Sequence, residues 1–262
     1  MTGFLKSFVM AFSEYSISPK AKMERNKENC SWILAFLPLV GLIMTVIINR
    51  WAVLYPYICD NHILPAVFGA IIPTILAGGT HLEGFFKTVD ALRSHKSVEE
   101  KLDILHKDNH GGYSAIVVCI CYFMVAVGIW SEMPIDGIFV IAFAYIISRA
   151  LFGISMLTAK HATDNKASLY IPENNGVKWC QVLVNVGYIV VCALLMVKIA
   201  STFDNISVAT ASLVGAGLSY IYYLIVAKRS FGGVTEELGG FFITVCEIVI
   251  PIAALFAFKN PF

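Results

Sequence analysis

The side chains best suited to chemistry are concentrated in one polar stretch, residues 78–113, which lies between two apolar segments. It holds six acidic residues, five basic residues and four of the six histidines of the chain. A polar stretch of this length in a compact protein is usually functional. We therefore expect the active site to include it.

Three charged residues of this stretch occur at helical spacing. Glu83, Lys87 and Asp90 stand at i, i+4 and i+7, so a helix would present them on one face, and His81 lies just ahead. Paired carboxylates can hold Mg²⁺ together with substrate phosphate oxygens, an arrangement suited to chemistry at a phosphoanhydride. Spacing alone favours a simpler interpretation, an ion pair between Glu83 and Lys87 with a solvated Asp90.

The second half of the stretch carries a helix-start signal. Ser97 is followed three residues later by Glu100, which forms a capping box, and apolar residues follow at Leu102, Ile104 and Leu105. This pattern predicts a short helix from about Val98 to Lys107.

The composition of the chain excludes an ordinary soluble domain. Of the 262 residues, 58% are hydrophobic and 14% are charged, whereas about a quarter of the residues of a soluble domain are charged. The mean hydropathy is +0.74. Seven scattered cysteines without a C-x-x-C pair argue against a disulfide framework or a zinc site. Nothing in the sequence predicts binding to nucleic acid, and the expected surroundings are membrane lipid.

The apolar segments predict an all-α, polytopic membrane bundle. A helix needs roughly 20 apolar residues to cross the hydrocarbon core of a membrane. About seven segments qualify, and they make residues 1–262 a single membrane domain in which 78–113 is an active-site loop. The predicted spans are 32–50, 62–79, 114–131, 136–157, 178–200, 206–227 and 240–258. The second is the weakest, because Pro65 and Pro73 interrupt it.

The distribution of basic residues predicts the orientation. If the loops alternate from an inside N-terminus, 15 of the 19 lysines and arginines fall on the inside. Only Arg50, Lys198 and Lys259 fall outside, and Arg149 lies within a span, where Glu247 of the last span is a candidate partner. This asymmetry predicts a cytoplasmic N-terminus, an outside C-terminus and a cytoplasmic 78–113 loop.

Several motifs, in order along nearly the whole chain, resemble one known family. The polar stretch reads GGTHLEGFFKTVDA and then KLDILHKDNHGG. Three further stretches agree with the same family: LPLVG at 37–41, SRALFG at 148–153, and FGGVTEELGGFF followed by Cys246-Glu247. Together they resemble the signature of cobalamin synthase, adenosylcobinamide-GDP ribazoletransferase.

This resemblance implies a function and a location. Members of the family are magnesium-dependent, multi-pass enzymes of the prokaryotic cytoplasmic (inner) membrane, and they act late in vitamin B12 synthesis. They join adenosylcobinamide-GDP to α-ribazole, or its 5′-phosphate, and release GMP. The expected cofactor is therefore Mg²⁺ and the expected partners are these two substrates. Assembly into a homo-oligomer stays open.

The resemblance also assigns roles to individual residues. It implies catalytic roles for His81, Asp90, Asp108 and His110. Substrate binding is expected from Lys87, Arg149 and Thr235. The expected metal ligands are Glu83, Asp90 and Glu237.

Two positions depart from the family pattern. Lys87 replaces an acidic residue, and Glu236 replaces a glycine just ahead of Glu237. Lys87 could pair with Glu83, which we prefer, or could hold a phosphate in place of a second metal ion.

Three alternatives remain beside the transferase. They are a relative repurposed for another phosphoanhydride, a catalytically lapsed scaffold and a transporter, although the inverted repeats typical of transporters are not found.

Overall fold

The computed structural model describes residues 3–19, 22–58, 63–107, 112–162 and 169–260. Within these ranges the secondary structure is helical, apart from one isolated parallel bridge between His161 and Val234. A 3₁₀ turn, Tyr55–Tyr57, follows the third helix. The α-helices are α1 Gly3–Tyr15, α2 Lys27–Cys30, α3 Ile33–Leu54, α4 Ile63–Leu76, α5 Thr80–Arg93, α6 Val98–His106, α7 Gly112–Glu132, α8 Ile135–Ile141, α9 Ala144–Thr158, α10 Asn175–Thr202, α11 Ile206–Phe231 and α12 Glu236–Lys259.

The outer surface of the bundle is apolar, as a lipid solvent requires. On α10, Leu183 is 69% exposed and Leu194 is 66% exposed, and on α11 Leu218 is 60% exposed. A water-soluble protein rarely leaves such continuous apolar faces uncovered. Helices satisfy their own backbone hydrogen bonds and can therefore present these faces to hydrocarbon. The chain is a polytopic helical membrane protein.

The predicted spans correspond to helices, but they differ in length. Five segments of the described residues are long and apolar enough to cross a membrane: Ile33–Tyr57, Ile135–Thr158, Asn175–Thr202, Ile206–Phe231 and Glu236–Lys259. The other two predicted spans correspond to α4, with 14 residues, and to α7. The count of seven crossings and the inside N-terminus remain predictions.

The weakest predicted span ends in a sharp turn. The helices α4 and α5 meet at 88°, with only three residues between them. Gly78 and Gly79 have φ values of +62° and +73°, a left-handed conformation that residues with a Cβ adopt at a cost. The start of the predicted 78–113 loop is therefore a helix that leaves the direction of α4.

After the turn, α5 lies against the first turns of α12. Gly84 and Gly240 face each other at this crossing, and a Cβ on Gly84 would collide with the carbonyl oxygen of Glu237. A Cβ on Gly240 would lie only 2.8 Å from the carbonyl oxygen of His81. The two backbones can approach closely because both positions lack side chains.

The predicted capping box is confirmed at the start of α6. The Ser97 side chain accepts a hydrogen bond from the backbone N–H of Glu100, and the Glu100 carboxylate accepts one from the Ser97 N–H. The helix then runs from Val98 to His106. Two short helices thus occupy most of the stretch that the sequence indicated as a loop.

The segment formed by α8 and α9 lies at the centre of the bundle. It is the most buried of the membrane-crossing segments in the described residues, and it packs against α3, α10 and α12. Gly41 of α3 allows close contact with the backbone at Tyr145, where a Cβ would collide. This central position places Arg149 deep in the protein, 2% exposed.

Candidate active site

A polar cavity lies at the N-terminal end of α12, between that helix, α1, α5 and α9. Its volume is about 330 Å³, within the range of small-ligand pockets. Ionisable side chains from all four helices and from the segment after α1 line it. They are Glu14, Tyr15, Arg25, His81, Glu83, Lys87, Arg149, Glu236 and Glu237. The cavity thus combines carboxylates and cations, as the binding of a metal ion and a phosphate group would require.

His81 occupies a buried part of the cavity wall. Its Nε2 lies 3.2 Å from Oε2 of Glu247, and both side chains are almost fully buried. The N–H of Nε2 is not aligned with the carboxylate as a hydrogen bond requires, although the distance would allow one. Nδ1 has no hydrogen-bond partner in the described part of the chain.

Glu247 also binds Arg149, the charge that the sequence placed within a span. Nη1 of Arg149 lies 3.3 Å from Oε1 of Glu247 and donates to the Tyr145 carbonyl oxygen at 3.0 Å. The Tyr122 hydroxyl donates to Oε2 of Glu247 at 3.3 Å. The candidate pair of Arg149 and Glu247 is therefore confirmed. The pairing offsets part of the free-energy cost of burying a charge within the membrane.

On α5 the preferred ion pair is present. Nζ of Lys87 lies 2.8 Å from Oε1 of Glu83, one turn earlier on the helix. The Lys87 side chain is only 12% exposed, whereas that of Glu83 is 54% exposed. The ammonium therefore neutralises Glu83 at the cavity, which both residues line.

The N-terminal region contributes a cluster that the sequence did not indicate. Nε of Arg25 lies 2.8 Å from Oε1 of Glu14. The Tyr170 hydroxyl lies 3.1 Å from Oε2 of Glu14 and 3.3 Å from Oε2 of Glu236, and Tyr15 donates to Glu236 at 3.0 Å. Glu236, a departure from the pattern that the sequence resembles, therefore has defined structural contacts. No sequence signal pointed to the other four residues, which lie far from the motifs.

The two phenols of this cluster are held as hydrogen-bond donors. Burial, followed by the charge of Glu236, raises the pKa of Tyr15 well above its usual value. The same two causes raise the pKa of Tyr170. Both hydroxyls therefore keep their protons at physiological pH and stabilise neighbouring carboxylates.

Other predicted site residues lie elsewhere. Asp90 is half-buried on α5, two turns beyond Glu83, and it is not among the residues that line the cavity. Thr235 is the N-cap of α12, where its hydroxyl accepts a hydrogen bond from the Leu238 N–H at 3.3 Å. Asp108 and His110 lie outside the described residues.

The carboxylates of the cavity do not form a ready-made metal centre. Among the described residues, no three His, Cys, Asp or Glu side chains are grouped so that they could hold a metal ion. Glu83 and Glu237 nevertheless line the same cavity as oxygen donors. Mg²⁺ is often bound through one or two carboxylates, with substrate phosphates completing its coordination. The donor set fits that mode of binding.

Comparison with known proteins identifies the family to which the chain belongs. Residues 7–255 match the family model described as cobalamin-5-phosphate synthase. The chain belongs to the cobalamin-5-phosphate synthase family. The match covers almost the whole chain, including every described residue that lines the cavity.

Similar members of the cobalamin-5-phosphate synthase family carry a common name. A protein named adenosylcobinamide-GDP ribazoletransferase from Lachnoclostridium phytofermentans is 29% identical over 97% of this chain and 95% of its own length. One of the same name from Clostridium botulinum strain Alaska E43 is 29% identical, over 95% of this chain and 96% of its own length. A third, from Clostridium perfringens strain 13, is 24% identical over 93% of this chain and 95% of its own length. No solved structure shows a significant match to the chain.

Proposed function

We propose that this protein joins adenosylcobinamide-GDP to α-ribazole, or its 5′-phosphate, and releases GMP, at the cytoplasmic face of a prokaryotic membrane. The observation that carries this proposal is the position of the family motifs. Motif residues from α5, α9 and α12 line one polar cavity, and the match to the family spans nearly the whole chain. The names of the relatives support the same reaction.

The size of the cavity limits what it can hold. A volume of about 330 Å³ accommodates a diphosphate with part of the attached nucleotide, but not a corrin ring. We therefore place the phosphates in the cavity and the corrin outside it. The cations Arg25 and Lys87 line the cavity from two different elements, where they can neutralise phosphate oxygens.

The reaction is a substitution at phosphorus. A hydroxyl oxygen of the ribazole forms a bond to the phosphorus that carries the cobinamide, and the bond from that phosphorus to the bridging oxygen breaks. GMP leaves with the bridging oxygen and its electron pair. His81 lines the cavity with Nδ1 unpartnered in the described structure, and it is the candidate to accept the proton of the attacking hydroxyl.

Mg²⁺ is the proposed cofactor. Glu83 and Glu237 would hold it, and when bound it would neutralise charge on the phosphate oxygens. The Glu237 side chain has no hydrogen bond or ion pair within the described residues, whereas that of Glu83 is paired with Lys87. Glu237 is therefore the more available ligand.

The proposal is tested by measuring GMP. The purified protein in lipid nanodiscs should release GMP and form the cobalamin product when adenosylcobinamide-GDP, α-ribazole and Mg²⁺ are all present. Glu237→Gln should reduce the rate by roughly a hundredfold or more, because a charged ligand near the reacting phosphates is lost. The matched control is Glu173→Gln, an exposed carboxylate that is paired with Lys27. The absence of GMP release from the natural protein, or release that does not require the ribazole, would refute the transferase activity.

A further inference from the structure

Glu247 is a buried carboxylate that the proposed reaction does not use directly. It lies on α12, beyond the cavity wall, and three side chains from three other helices converge on it. His81 comes from α5, Tyr122 from α7 and Arg149 from α9. A carboxylate that is 8% exposed within a membrane helix is costly unless it has a function or is well paired.

The charges around Glu247 are balanced before His81 is considered. Arg149 already supplies one full positive charge at 3.3 Å, and Tyr122 donates a neutral hydrogen bond. The third contact, to Nε2 of His81, is therefore not needed for neutrality. It acts instead on the imidazole, because the group that lies against one ring nitrogen decides which nitrogen carries the proton.

The backbone of His81 is held by its contacts with α12. The Thr244 hydroxyl, one turn before Glu247 on α12, donates to the His81 carbonyl oxygen at 3.3 Å. Gly240 permits the close approach of α12 at the same point. The position of His81 relative to Glu247 is thus set by the helix crossing, and only the ring orientation remains for the carboxylate to select.

We propose that Glu247 is a positioning residue for His81. The carboxylate lies 3.2 Å from Nε2 and favours the tautomer that carries its proton there, because an N–H is attracted to the negative charge whereas a ring lone pair is repelled. Nδ1 is then unprotonated and is left to accept a proton from the hydroxyl of an acceptor substrate. The role of Nδ1 toward the acceptor hydroxyl rests on the proposed function, whereas the tautomer does not.

The tautomer can be measured without any turnover. The protein is labelled with ¹⁵N-histidine, and its imidazole signals are recorded by NMR in nanodiscs at alkaline pH, where histidine rings are neutral. The His81→Gln variant assigns the signal by its disappearance. We expect the natural protein to show His81 protonated on Nε2. A ring protonated on Nδ1 overturns the proposal.

The variant Glu247→Gln tests the cause. Its amide can either accept from or donate to Nε2, so the preference for one tautomer should be lost. Glu132→Gln, an exposed carboxylate on α7 paired with Lys259, is the control and should leave the His81 signal unchanged. A single Nε2–H tautomer that persists in Glu247→Gln overturns the proposal.

Kinetics then separate the positioning role from the proposed function. We expect Glu247→Gln to lower kcat by about 10²-fold or more with little change in KM, since the loss falls on proton transfer. The double variant, Glu247→Gln with His81→Gln, should be no slower than His81→Gln alone. Both changes remove the same function, which is proton acceptance by His81. Additive losses overturn the proposal. If the natural protein forms no product, the transferase assignment fails, while the tautomer result stands.

Discussion

At the scale of single residues, Lys87 determines how much negative charge the cavity offers to a cation. It stands where the sequence resemblance implies an acidic residue, and its ammonium lies 2.8 Å from Oε1 of Glu83. Two like charges at contact distance repel by about 4 kcal/mol at an effective dielectric constant near 20. Mg²⁺ must therefore bind against this repulsion, or the ammonium must take over part of its role with phosphate.

We predict that Lys87→Asp increases the dependence of the reaction on magnesium. The rate of the natural protein should depend only weakly on magnesium concentration. In this protein Lys87 already holds a phosphate oxygen, or the site works with a single magnesium ion. The aspartate variant should show a steeper dependence and tighter magnesium binding, by about tenfold or more. The measurement is product formation across a magnesium titration for both proteins. Product from the variant alone would identify the natural chain as a lapsed relative.

Some of the cavity could be predicted from the sequence and some could not. His81, Glu83, Lys87, Arg149 and Glu237 carry motif signals, and all five line the cavity. The cluster around Glu14 and Arg25 gave no signal, because its contacts join residues far apart in the chain. Tyr15 and Glu236 are separated by 221 positions. Such pairings depend on how helices pack, so the spacing of residues within one segment of the sequence does not predict them.

At the scale of helices, the site depends on the crossing of α5 and α12. Gly84 and Gly240 bring the two backbones together, and the crossing sets the position of His81. The sequence predicted a helical face for Glu83, Lys87 and Asp90, and α5 confirms that helix. It did not predict the 88° turn before α5, which follows from left-handed backbone angles at two glycines.

We predict that Gly84→Ala displaces α5 and reduces activity. The added methyl group would collide with the backbone carbonyl of Glu237, which cannot move aside as a flexible side chain could. Overpacking of this kind costs about 1–3 kcal/mol, so thermal stability in detergent should fall together with the rate of product formation. Gly187→Ala on α10 is the matched control, because nothing lies within 4 Å of its added Cβ. Equal behaviour of the two variants would contradict this role for the crossing.

At the scale of the whole molecule, the orientation of the helical bundle determines the side of the membrane to which the cavity opens. The N-terminal end of α12 lines the cavity, and it shares a side with the basic loops. The positive-inside rule predicts that the opening faces the cytoplasm.

Cysteine labelling tests this orientation. His95 lies exposed between α5 and α6, and Ser201 lies exposed near the end of α10, on the side predicted to be outside. A membrane-impermeant maleimide should label Ser201→Cys in intact cells but His95→Cys only after lysis, with the natural protein as the background. The reverse pattern would contradict the inside N-terminus.

We propose that the nucleotide-activated substrate binds in the cavity at the N-terminal end of α12. The opposite end of that helix borders a second cavity of about 220 Å³, lined by Tyr55, Trp130 and Phe258 among others. A photoreactive azidoguanine derivative of adenosylcobinamide-GDP, with peptide mapping by mass spectrometry, distinguishes the two. We predict labelling of peptides from α5, from the start of α12 or from residues 14–25, suppressed by excess unmodified substrate. Suppressible labelling at Trp130 or Phe258 instead would contradict binding at the N-terminal end of α12.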